Sequence, residues 1–180
     1  MRHVWMVCAL AGTMISGAAL AQAPAGPTGP AAEVMRSYST VKGNILKSAD
    51  AMSAENYSYK PEPDIRTYAR VLNHVTEAQF RTCGAINGTK DPAKPPADTA
   101  DKAVIVEALK ASFVECDKAF ATLTDTNLTD MFQLGPAKRS RIGLLWGTAS
   151  HDNEQYATLA LYLRLKGLTP PSVENRSNLN

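Results

Sequence analysis

The sequence predicts an all-α fold, a four-helix bundle in up-down-down-up order with a long crossover between helices 2 and 3. Three observations lead there. Four stretches, each about 20 to 30 residues long, repeat apolar side chains at intervals of three and four. No stretch alternates with period two for long enough to be a strand. Finally, Cys83 and Cys116 reach matching depths only if the two helices that carry them run the same way.

Helix 1 is marked by Val34, Tyr38, Val41, Ile45, Ala49 and Met52. A connector from Tyr57 to Pro63, with two prolines, follows it. Helix 2 is marked by Ile65, Tyr68, Leu72, Val75, Gln79 and Cys83. Gly88 to Ala100 holds three prolines and reads as a loop. Helix 3 carries Ile105, Leu109, Phe113, Cys116, Phe120 and Leu123, with Asp98 or Thr99 as its N-cap. Asn127 to Pro136 is a second connector. Helix 4 runs from Lys138 to Lys166 and stops at Gly167, with Pro170 and Pro171 just beyond. The domain so defined spans residues 33–174, between a lead-in at 22–32 rich in Ala, Pro and Gly and a tail at 175–180.

The first 21 residues read as a signal peptide. Arg2 and His3 give a short positive start, Val4 to Leu20 is mostly apolar, and Ala19-Leu20-Ala21 offers a cleavage site before Gln22. The competing reading is a membrane anchor. Gly12, Thr13, Ser16 and Gly17 interrupt the stretch, which falls short of the roughly 20 apolar residues a span needs. The expected location is therefore periplasmic or secreted, and no later stretch would embed the chain in a membrane. At 180 residues and 44% hydrophobic, the chain supports one domain with a real core. Its 19 basic and 17 acidic residues form no basic stripe, so nucleic acid is not an expected partner.

Export leaves the mature chain with Cys83 and Cys116, which in an oxidising compartment suggest one disulfide; two buried free thiols are the alternative. A simple hairpin of helices 2 and 3 would leave the cysteines mismatched by roughly 20 Å in height. In a parallel pair their depths agree within about 3 Å. A loop of about 13 residues, reaching roughly 40 Å when extended, can make the return.

Helix 4 is apolar in most directions but carries one polar seam, formed by Thr148, His151, Gln155, Thr158 and Tyr162 within about 80° of one another. Such a helix should be buried, and buried polar groups cost free energy unless they are satisfied. The seam is either a site or a hydrogen-bonded network that fixes helix register. The other histidine of the mature chain, His74, lies at the edge of helix 2's apolar stripe, beside Arg70, Glu77 and Arg81. There is no nucleophile elbow, no C-x-x-C and no glycine-rich phosphate loop. The wide spacing of the cysteines argues against thiol redox chemistry.

The segments "YARVLNHVTEAQFRTC", "EALKASFVECDKAF" and "HDNEQYATLALYLRLKGLTPPS" together resemble the DinB-like (YfiT-like) family of metalloenzymes, over residues 34 to 174. The resemblance implies a four-helix bundle in the order given above. It also implies a divalent-metal site, zinc or nickel, built from one histidine in helix 2 and a His-x-x-x-His pair in helix 4. Those positions fall on His74, His151 and Gln155, so an amide stands where the family has its third histidine. An amide oxygen is a weaker ligand for these metals than imidazole, so binding should be weak or absent. Glu77, one turn from His74, is a candidate second-shell acceptor or extra ligand.

The expected function is a metal-dependent hydrolase or transferase acting on an unknown small molecule. The alternative is a non-catalytic, metal-free or weakly metal-binding bundle of the envelope. No general base stands out; Glu77 and Glu154 are only neighbours. A homodimer is possible, though no exposed stripe compels it.

Overall fold

The computed structural model describes residues 28–177, and the signal-peptide reading falls outside them. Four long helices carry the fold: α1 (Pro30–Ala51), α2 (Tyr68–Asn87), α3 (Lys102–Ala121) and α4 (Arg141–Leu165). A hairpin of β1 (Met131–Leu134) and β2 (Ala137–Ser140) precedes α4, and a short α5 (Pro171–Ser177) follows it. No helix among the described residues is long and apolar enough to cross a membrane.

Local chemistry sets the ends. Pro30 opens α1, where its missing N–H is no loss, so the last three residues of the expected lead-in are helical. Ile65 was expected in helix 2 but lies outside it, 42% exposed. Thr67 caps α2 instead, accepting from the Arg70 N–H at 3.1 Å. Gly88, at φ 75°, ends α2 in the left-handed region that glycine enters without strain.

Neither Asp98 nor Thr99 caps α3; Asp101 takes the N-cap position without a side-chain bond. The Asp98 carboxylate is drawn to α2, where it accepts from Asn73 Nδ2 at 2.8 Å. That bond, with the one from Asn73 to the Pro96 carbonyl at 3.0 Å, ties the crossover loop to the bundle.

The hairpin corrects the expectation of no strands. Its strands are four residues each, turning at Gly135 (φ 58°), with Phe132 opposite Arg139 and Gln133 opposite Lys138. The ladder claims Lys138 to Ser140, so α4 starts at Arg141, capped by Ser140 through the Gly143 N–H at 3.2 Å. Beyond Gly167, Pro171 does not end the structure but opens α5, and the Ser172 N–H donates to Tyr156 Oη at 2.9 Å.

The core is one cluster drawn from all four long helices. Tyr38 of α1 stacks on Phe120 of α3, with ring centroids 3.7 Å apart and planes within 9°. Its hydroxyl donates to Asp117 at 2.8 Å. Cys83 and Cys116 form a disulfide with Cα atoms 5.0 Å apart. One turn before it, Gln79 meets Ser112, so α2 and α3 keep one register along their contact. α4 is less enclosed than its composition implied: Trp146, Leu161 and Leu165 are each about half exposed.

Candidate functional site

His74 and His151 project from the facing sides of α2 and α4 and meet, with their Nε2 atoms 3.1 Å apart. Both are part-buried. Behind His151 lies Asp152, fully buried, with Oδ1 3.4 Å from His151 Nδ1. Its other oxygen accepts from Gln79 Nε2 at 2.8 Å. Gln79 Oε1 in turn accepts from Ser112 Oγ at 2.7 Å. The polar groups thus run from the cleft through α4 and α2 to α3.

This arrangement fixes the chemistry of His151. A carboxylate beside Nδ1 holds the proton there, which leaves the Nε2 lone pair facing His74. Without a cation, His74 Nε2–H donates into that lone pair. A divalent cation here would be held by the lone pairs of both nitrogens. Two nitrogens bound at about 2.0–2.1 Å to one tetrahedral zinc lie about 3.3 Å apart, close to the observed spacing. His74 stays neutral to lower pH than an ordinary histidine, chiefly through burial and then through the nearby Arg66, His151 and Arg70 charges. A neutral imidazole is the form a metal requires.

Gln155, one turn after His151, is 5% exposed, and its amide forms no hydrogen bond with the described residues. Its place on the seam, one helical turn from His151, makes it a candidate third ligand. Glu77 is exposed and engages Arg70 at 3.6 Å. Among the described residues no three His, Cys, Asp or Glu side chains gather as a metal site, so Glu77 does not complete such a group with the two histidines. The rest of the seam is structural: Thr148 donates to the Leu144 carbonyl, and Tyr162 Oη to that of Arg66.

Sequence reasoning missed Asp152 as a site residue. The available signal was Gln79, a polar side chain in the middle of the apolar stripe of α2. Burial holds the Asp152 carboxyl above its ordinary range, against the opposing effects of His151 and Gln79. A raised folded-state pKa contributes stability that is fully present below the unfolded value and lost as pH rises through the folded one. Asp152→Asn removes that loss while keeping the shape. It should therefore raise the melting temperature by about 2–4 °C on the neutral and alkaline side, with the gain vanishing in acid. The same variant reverses the His151 tautomer, because an amide N–H now faces Nδ1. Zinc affinity should fall at least about tenfold. Thermal melts across pH and a zinc titration check both, and a destabilised variant with unchanged zinc affinity would refute the account.

Residues 37–159 match the model of the DinB superfamily. No curated protein matches the sequence. The fold is similar to the crystal structure of a DinB-like protein from Bacillus cereus, with TM-score 0.62 and 19% identity, covering 77% of this chain and 93% of that one. A DinB-like protein from Bacillus subtilis gives TM-score 0.58 at 16% identity, over 76% and 93% of the two chains. A conserved protein from Enterococcus faecalis gives 0.62 at 13% identity, over 77% and 98%. With the family match spanning most of its length, the chain belongs to the DinB superfamily.

Proposed function

We propose that the protein is an exported, periplasmic or secreted, metal-dependent enzyme of hydrolase or transferase type acting on a small molecule. Its site holds zinc or nickel between His74 and His151, with Gln155 in place of a third histidine. The observation that carries this reading is the 3.1 Å approach of the two Nε2 atoms with a buried carboxylate behind one of them. Export is supported by the leader-like residues 1–21 and by a disulfide suited to an oxidising compartment. We read the four long helices as up-down-down-up. Supporting this, the contacts Gln79–Ser112 and Cys83–Cys116 advance together along α2 and α3, while from Arg66, just before α2, to His74 within it the partners on α4 step back from Tyr162 to His151.

A bound divalent ion supplies Lewis acidity that activates a water or thiol at neutral pH. The chain's own contribution is orientation. Asp152 fixes the His151 tautomer, Gln79 holds Asp152, and burial keeps His74 neutral. The second reading, a non-catalytic bundle, draws on the missing third charged or imidazole ligand among the described residues.

Metal content of the untagged mature protein, measured by mass spectrometry, separates the two. One equivalent in the wild type, lost in both His74→Ala and His151→Ala, is expected. No metal after incubation with zinc or nickel would leave only the non-catalytic bundle.

A further inference from the structure

His74 opens on its outer side into a cleft of ≈180 Å³ lined by Arg66, Arg70, His74, Glu77, Ala78 and Arg81. Arg70, His74 and Ala78 follow at intervals of four, one row on the face of α2, and Arg66 reaches the same cleft from the segment just before the Thr67 cap. Three arginines therefore line a space large enough for a small oxyanion. Their local neutralisation is incomplete. Arg70 is shared between Glu77 at 3.6 Å and Asp98 at 3.9 Å. Arg66 and Arg81 have no ion pair among the described residues. A second cleft of ≈450 Å³ adjoins this one, sharing Arg70, Glu77 and Arg81 and adding Lys94 and the Pro92–Pro95 stretch of the crossover loop.

We propose that the arginine-lined cleft beside His74 is a binding site for the oxyanion group of the substrate, a carboxylate or a phosphate, held by Arg66 and Arg81. Guanidinium groups suit this task because their planar fork donates two parallel hydrogen bonds to such an anion. Arg70, already held by two carboxylates, supplies charge and a fixed wall. The anion then lies on the open side of His74, opposite His151, and the rest of the molecule extends over the Pro92–Pro95 stretch. This deepens the reading of His74 and His151 as the site and rests on it for the identification of the ligand as substrate. The binding step itself needs no metal.

The test is a titration of chelator-treated protein at low ionic strength with inorganic phosphate and, separately, with succinate, followed by calorimetry and by the NMR signals of the His74 ring. Saturable binding of at least one anion is expected, with the His74 signals moving as it binds. Arg66→Ala and Arg81→Ala should each weaken that binding about tenfold or more, while Lys94→Ala changes it by less than about threefold. Arg81→Lys should recover only part of the loss, since an ammonium lacks the fork. Both arginines are exposed, so these variants should fold as the wild type does. Response to phosphate alone or to succinate alone assigns the group. Absence of saturable binding by either, or binding indifferent to both arginine changes, overturns the proposal. Because metal is removed beforehand, metal binding without anion binding defeats this inference alone. Anion binding without any metal uptake leaves it standing and defeats only the metal reading.

Discussion

Replacing both cysteines, as Cys83→Ala with Cys116→Ala, should lower the melting temperature by about 8–15 °C. The bridge closes a loop with a sequence separation of 33 residues. In the chain-entropy view, a loop of that length removes about 4 kcal/mol of freedom from the unfolded state. Both positions are fully buried, and alanine introduces no polar group there. The loss should therefore come from the missing cross-link, with a smaller part from lost packing. Thermal melts of the variant, beside wild type with and without reductant, measure it. Reduced wild type should melt near the variant. A shift under about 3 °C would mean that the packing of α2 on α3 holds the pair together without the covalent bond.

Replacing Gln155 with histidine should raise zinc or nickel affinity about 100-fold, close to 3 kcal/mol. Imidazole nitrogen is the better donor for both ions, and the position lies one turn from His151 on the same seam. Because the Gln155 amide forms no hydrogen bond with the described residues, the exchange breaks none there, and stability should change by less than about 1 kcal/mol. Competition against a coloured chelator gives the affinities. If the wild type already binds one equivalent, glutamine is an adopted ligand; if only the variant binds, the site is a relic that one substitution restores. An affinity unchanged within about threefold would show that position 155 does not face the histidine pair.

The helices were legible because their buried faces are long and repeat regularly: Leu72, Val75 and Cys83, expected on one stripe, are all in the core. The cysteines were legible for another reason. Export would leave two cysteines, each on an apolar stripe, and the two form the disulfide. The hairpin lacked any such signal. Strands of four residues, with Met131 and Lys138 exposed, offer too few positions for a period of two to emerge.

The seam's location was readable, since polar side chains on an apolar helix stand out. Its working partner was not. Asp152 sits beside the seam, in a run of polar residues that reads as solvated, and its pairing with His151 and with Gln79 across the helix contact makes its burial tolerable. Position 79 looked like part of an apolar stripe because its neighbours are. Its chemistry depends on what α4 brings to it, and helical spacing carries no information about that.

The shared register of the disulfide and the Gln79–Ser112 bond has a mechanical consequence. The two contacts lie one turn apart on both helices, so α2 and α3 act as one rigid wall that cannot slide without breaking a covalent bond. α4 has no such tether. It is joined to α2 by the Asp152–Gln79 and His151–His74 hydrogen bonds and by packing, and to the segment just before α2 by the bond from Tyr162 to the Arg66 carbonyl. On the proposed metal reading, a ligand between the two histidines would sit against α4, the helix with no covalent tether to α2. Because one of these bonds ends on the carbonyl of Arg66, α4 is coupled at that point to a residue that lines the outer cleft.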